Sequence, residues 1–135
     1  MDAIELMRIM GEDFRVRFHK DELDYAILYF INMIKDNRVV IIYEDKLPFA
    51  IMTYSLTDDS DTFLKKETWD YLPHNLLAKT VYVEKLISKG WNKGLRLAFE
   101  KTITSMYPKI EQGIWHRYGK YGDRCVISKR RLQNV

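Results

Sequence analysis

The sequence predicts a single mixed domain of the α/β (α+β) class, and three observations carry that prediction. Apolar residues recur at intervals of three and four in some stretches and every second residue in others, so helical and strand periods alternate along the chain. The elements read in the order α-α-β-β-(α)-β-α-β-β. The 135 residues are 47% hydrophobic with only 3 prolines, enough to build one core and too apolar for a disordered chain. Residues 1–135 are therefore expected to form one domain.

Asp2 precedes AIELMRIM, with Ile4, Leu6, Met7 and Met10 at helical spacing and Gly11 placed to stop a short first helix. In DELDYAILYFINMIKDN, residues Leu23, Ile27, Phe30, Ile31 and Ile34 form a stripe, with acids at the start and Lys35 at the end. RVVIIYE is apolar on both faces, as in a well-covered strand. Glu44, Asp45 and Lys46 break it, and FAIMTYSL resumes strand composition, which predicts an antiparallel hairpin. Ser60 or Asp61 is the expected cap of a short helix ending before Pro73. AKTVYVEKLI alternates Val81, Val83, Lys85 and Ile87 with Thr80, Tyr82, Glu84 and Leu86, a strand with two unlike faces. From Asn92, residues Leu95, Ala98, Phe99, Thr102, Ile103 and Met106 share a helical face that stops at Pro108. GIWHRY and RCVISKR read as two strands around a turn at Gly119 to Gly122.

Charge is divided unevenly. Residues 1–70 hold 9 Lys/Arg against 15 Asp/Glu, and residues 71–135 hold 13 against 4, so the halves carry −6 and +9. Such a split favours anionic partners for the C-terminal half, such as a phosphorylated cofactor, an acidic carrier protein or nucleic acid, unless the two regions face one another across the fold. The opening MDAIELMRIMGEDF lacks the order of a secretory signal, and no apolar run approaches the ~20 residues of a membrane span, which leads us to expect a cytoplasmic protein. Cys125 is the only cysteine and reads as a strand residue, not a nucleophile; His74 and His116 lack metal-ligand spacing, and no metal is expected.

Ser88, Lys89, Gly90, Trp91, Asn92, Lys93 and Gly94 join a strand to a helix, where free N–H groups and the helix dipole favour an anion, with Arg96 adding charge. Neither GxxxxGK(S/T) nor GxGxxG is present, which argues against a nucleotide triphosphatase or a dinucleotide enzyme. Beyond it, WHRYGKYGDRCVISKRRL interleaves aromatics with Arg117, Lys120, Arg124, Lys129, Arg130 and Arg131, a composition suited to stacking bases and neutralising phosphates, or to a solvated basic terminus.

Two helices, a hairpin, a strand, an anion-binding loop and a helix is also the element order of the GCN5-related N-acetyltransferases, and the chain resembles that GNAT fold, a mixed, mainly antiparallel central sheet flanked by helices. In that family the loop binds the pyrophosphate of coenzyme A through a pattern of the type Q/R-x-x-G-x-G/A; the nearest window is Trp91 to Arg96, with Gly94 in place. From about His19 to Arg131 the chain is similar to the RTX toxin-activating lysine acyltransferases, and in its shortness to trimmed acyltransferase-like proteins of bacteriophages. HKDELDYAILYFINMIKDNRVVIIYEDKLPFAIMTYSLT follows that family's His, helix, strand, turn, strand, and YVEKLISKGWNKGLRLAFEKTITSMYP its strand, glycine loop and helix. Where the family has a catalytic Asp, Ala78 stands here, with Asn75 the nearest hydrogen-bonding residue.

The resemblance implies acyl transfer from a coenzyme A or acyl carrier protein thioester to a lysine amine of a protein acceptor. His19 and Glu84 are the candidate acid–base residues. Without the resemblance, Glu84 reads as an exposed glutamate paired with Lys85 or Lys79, and His19 as a capping or surface residue. The alternative is a non-catalytic, phage-type accessory protein whose basic half binds a host protein, a virion component or nucleic acid.

Overall fold

A computed structural model describes residues 1–90, 92–118 and 125–131, with side chains from 115 onward excepted. Helix α1 spans Ala3–Phe14, and Asp2 Oδ1 accepts the Glu5 N–H at 2.8 Å to cap it. It does not stop at Gly11. Arg15 takes the left-handed conformation with φ of 57°, and the Val16 N–H returns to the Met10 carbonyl at 3.0 Å. The stop therefore comes from the left-handed turn at Arg15 and the hydrogen bond that closes over it, and Gly11 lies inside the helix.

Helix α2, Leu23–Lys35, buries Ala26, Tyr29, Phe30 and Met33, while Leu23 and Ile31 of the expected stripe are exposed. This helix is apolar on most sides, so the period admits two frames. The frame adopted is the one that places the Tyr29 hydroxyl in a buried polar network.

Five strands, β1 Val39–Glu44, β2 Leu47–Leu56, β3 Thr80–Ser88, β4 Gln112–Tyr118 and β5 Cys125–Arg131, form one sheet in the order β1-β2-β3-β4-β5. All neighbours are antiparallel except β3 and β4, which run parallel and are joined by α4, Lys93–Met106. β1 is an edge strand with Val40 its only buried hydrophobic residue, so it is less covered than its composition suggests. The β1–β2 connection is a two-residue turn, Asp45 and Lys46, both with positive φ, which matches the right-handed twist of the hairpin. Helix α3, Ser60–Lys65, is capped by Asp59, not by Ser60 or Asp61: its carboxylate accepts from the Thr62 N–H and hydroxyl and titrates below the usual range because of those bonds.

Helices α1 and α2 pack on one face of the sheet through Leu6, Met10, Phe30, Met33 and Ile51. Helix α4 packs on the other through Leu95, Phe99 and Ile103 against Met52, Tyr54 and Val81. Among the described residues no helix is long and apolar enough to cross a membrane.

Two irregularities shape β3. The register with β2 runs Tyr54↔Val83 and then Thr53↔Lys85, so Glu84 is an extra residue, a β-bulge. Strict alternation along β3 is therefore replaced by a switch: Tyr82 and Glu84 before the bulge, and Lys85 and Ile87 after it, share the α2 face. The second irregularity is a split. Pairing of β3 with β4 ends at Val83↔Trp115, although β3 continues to Ser88 and β4 to Tyr118. From Glu84 to Ser88, β3 has a partner on the β2 side alone among the described residues.

Two backbone predictions follow from these conformations. A Cβ at Gly11 meets its nearest heavy atom, the Val16 carbonyl oxygen, at an ordinary 3.7 Å, so Gly11→Ala removes a helix-interior glycine without a clash. Lys46→Gly relieves a side chain held at φ of 69°. Each variant is expected to gain about 0.5–1 kcal/mol in urea denaturation.

Candidate functional site

The bulge sits above a buried ionic cluster. Arg38, at the entry to β1, is fully buried, and its guanidinium donates to the Tyr54 carbonyl at 3.0 Å, the Leu72 carbonyl at 2.9 Å, the Ser55 hydroxyl and Glu84 Oε2 at 3.2 Å. Glu84 has a side chain only 2% exposed. It also receives the Ser55 hydroxyl, the Lys66 ammonium at 2.9 Å and the Tyr29 hydroxyl at 3.2 Å. The structure thus corrects the expectation of an exposed Glu84 paired with Lys85 or Lys79. Four donors fill the lone-pair sites of one carboxylate, the arrangement that makes a buried charge tolerable.

Lys85 follows on the same face. Its ammonium donates to the Thr68 carbonyl at 3.0 Å and lies over the rings of Trp69 at 4.5 Å and Tyr29 at 5.1 Å. Burial, with the Lys66 charge nearby, pulls it down from 10.5 to about 8 against the opposing pull of Glu84. Burial and the Glu84 carboxylate push the Tyr29 phenol above its ordinary range. His74, whose Nδ1 accepts the Leu56 N–H at 3.3 Å, is held below its usual value by burial and by Arg38.

Of these residues, Glu84, Lys85 and Trp69 line a groove of about 360 Å³. Its lining follows β3 from Val83 to Ile87, which beyond Val83 pairs with β2 alone among the described residues, together with Met10, Val16, Phe18 and Trp69. Trp69 is locked against Phe18 and Phe30 with ring centroids 5.9 and 5.7 Å apart. Glu84 and Lys85 also line a second cavity of about 200 Å³ beside Phe63, Leu64 and Tyr82, so they form the partition between two hollows.

At the far end of β3 comes the glycine loop. The Lys89 N–H bonds the Phe49 carbonyl at 3.0 Å, and its ammonium lies 5.4 Å over the Phe14 ring. Asn92 caps α4, its Oδ1 accepting the Leu95 N–H at 2.8 Å. That leaves the Lys93 and Gly94 N–H groups at the positive end of the helix without an intrahelical acceptor. Gly94 keeps the cap open: a Cβ there would come within 3.2 Å of Asn92 Oδ1. Arg96 turns toward Glu100, 4.0 Å away, instead of toward the loop.

His19 is exposed, precedes the 3-10 turn Lys20–Glu22 and makes no capping hydrogen bond; Phe18, its neighbour, lines the groove. Ala78 is buried, and the Asn75 side chain is engaged with the Leu77 N–H at 2.9 Å. Trp91, Lys120 and Arg124 lie outside the described residues, as do the side chains of Arg117, Lys129, Arg130 and Arg131. Ser88, Lys89, Gly90, Asn92, Lys93 and Gly94 thus fall together at one end of β3, with Glu84 at the other end of the same unpaired edge. Sequence reasoning missed Arg38, Lys66, Tyr29 and Lys85. The available signal was Thr53 and Ser55, two hydroxyls on one face of an otherwise apolar strand, which mark a buried polar cluster.

No family model and no curated protein matches the chain.

Glu84→Ala strands Arg38 and Lys66 without their shared anion and is expected to cost about 3–5 kcal/mol in urea denaturation. The Lys85 shift has a defined sign. The folded amine releases its proton near 8 and the unfolded one near 10.5, so this group adds stability as pH rises through that window and loses it as pH falls back through about 8. Above about pH 10 the raised phenols of Tyr29 and Tyr54 pull the other way, because they ionise first in the unfolded chain. Between about pH 8 and 10, wild type should gain in urea midpoint relative to Lys85→Met; parallel pH profiles would refute the shift.

Proposed function

We propose that the chain is an acyltransferase-fold protein that moves an acyl group from a coenzyme A or acyl carrier thioester to an amine, with a lysine of a protein as acceptor. The observation that carries this reading is the split of the sheet at Val83 and Trp115, which leaves the Glu84–Ser88 edge of β3 along a groove. An extended donor carrying amides can add to such an edge as a further strand does, with its acyl end at the bulge. At the other end, the first-turn N–H groups of α4 with Lys89 and Lys93 suit its phosphates or the acidic surface of a carrier protein.

Attack by an amine on a thioester needs the amine to lose a proton and the thiolate to gain one. Glu84 is poorly placed to take it, because its carboxylate already accepts four hydrogen bonds and each proton gained is a bond lost. Its role here is to hold Tyr29, Lys66 and the bulge in position. His19, at the rim and free of a capping bond, is the base in this reading.

The saturated Glu84 also favours a second reading, a non-catalytic accessory protein whose basic half docks on a host protein, a virion component or nucleic acid. Thermal-shift and transfer assays with acetyl-coenzyme A and acyl carrier thioesters separate the two. A donor-dependent rise in melting temperature, together with a loss of transfer of about 10²–10⁴-fold in a folded His19→Ala protein, is expected. If no donor shifts the melting temperature while filter binding to DNA or RNA weakens steeply with salt, the accessory reading replaces the enzymatic one.

A further inference from the structure

Lys85 is the one amine among the described residues that lines both hollows beside the bulge. The bulge puts it there: in an unbroken strand, neighbours point to opposite faces, but here Glu84 and Lys85 both reach Tyr29. Its nitrogen is held by the Thr68 carbonyl and by the faces of two rings that pack edge to face at 5.7 Å, so the amine is oriented, and the open space beside it is the groove lined by Phe18, Trp69 and Ile87. The charged groups around it are Lys66, Glu67 and Glu84 lining the second hollow, Arg17 on the groove wall and Glu22, whose carboxylate accepts the Trp69 indole N–H at 3.4 Å.

We propose that Lys85 is a self-acylation site, whose amine takes the acyl group of a thioester lying in the groove and keeps it as an amide in that groove beside Trp69. This rests on the acyl-donor reading of the same groove. The Nζ lone pair forms a bond to the thioester carbonyl carbon, the carbon–sulfur bond breaks, and the departing thiolate takes up the proton that nitrogen releases. One amide and one thiol result, with no oxidant or further reactant. A lysine whose ammonium titrates near 8 keeps far more free amine at neutral pH than an exposed one. The amide is uncharged and occupies the space in which the next donor must lie, so the modification closes the groove that produced it.

The test treats the full-length wild-type protein at neutral pH with acetyl-coenzyme A, with S-acetyl-N-acetylcysteamine and with acetic anhydride, and follows each lysine by peptide mass spectrometry. Lys85 is expected to acquire an acetyl group at least about tenfold faster than exposed Lys20 and Lys46 with all three reagents, because its free-amine fraction is larger. Lys85→Arg should lose that adduct alone, and acetylated protein should lose its thermal shift with coenzyme A. Equal rates at Lys85 and the exposed lysines with anhydride overturn the proposal and leave the donor reading standing, since the thermal shift with coenzyme A judges that separately. Fast anhydride labelling without any thioester labelling overturns both self-acylation and the placement of the donor in this groove. Because the sites are mapped in wild-type protein, a misfolded Lys85→Arg would not obscure the result.

Discussion

The ion pair between Arg38 and Glu84 is the constraint on which the rest of the structure depends. Neither charge is tolerable in the interior alone, and each is satisfied only by groups that come from separate parts of the chain. The guanidinium reaches the β2 carbonyl of Tyr54, the Leu72 carbonyl after α3 and the carboxylate on β3; the carboxylate collects Ser55, Lys66 and Tyr29 in turn. One pair therefore ties α2, the entry to β1, β2, β3 and the segment after α3 into a single arrangement. The net energy of a buried pair is small, but the cost of any arrangement that leaves one member unpaired is large, and that difference selects the fold.

The bulge at Glu84 belongs to this selection. A regular β3 would place Glu84 and Lys85 on opposite faces, and the α4 face is lined by Met52, Tyr54 and Val81. Inserting one residue lets the acid and the following lysine share the α2 face, where hydroxyls, rings and carbonyls receive them. The same insertion lies where β3 parts from β4. The polar cluster, the groove and the parting of β3 from β4 thus meet at one register change.

The parts of this structure that were legible in the sequence are those decided by local chemistry. The hairpin followed from polar residues between two β-branched runs, and the strand, glycine loop and α4 from alternation giving way to helical spacing at Asn92, whose side chain does cap the helix. What was not legible depends on register and on distant partners. VYVEKLI has a complete alternating pattern with or without a bulge, and nothing within β3 says which. Arg38 reads as the polar start of an apolar strand until the Tyr54 and Leu72 carbonyls, far along the chain, are brought to it. Likewise α2 offered two apolar stripes, and the choice between them was made by Tyr29 reaching Thr53 and Glu84, not by hydrophobicity.

The charge division of the chain takes on a different meaning in this light. A −6 half and a +9 half would neutralise one another by placing acids of the first against cations of the second. The pairing in the core runs the other way: Glu84, one of the few acids of the basic half, is held by Arg38 and Lys66 of the acidic half. The core therefore consumes charge of the minority sign from each side and increases the imbalance left to the surface. Whatever anion the C-terminal half meets, the anchor inside is already satisfied. In the acyl-transfer reading proposed above, chemistry in the groove then falls to groups outside that anchor, the Lys85 amine on the strand and the His19 imidazole next to Phe18.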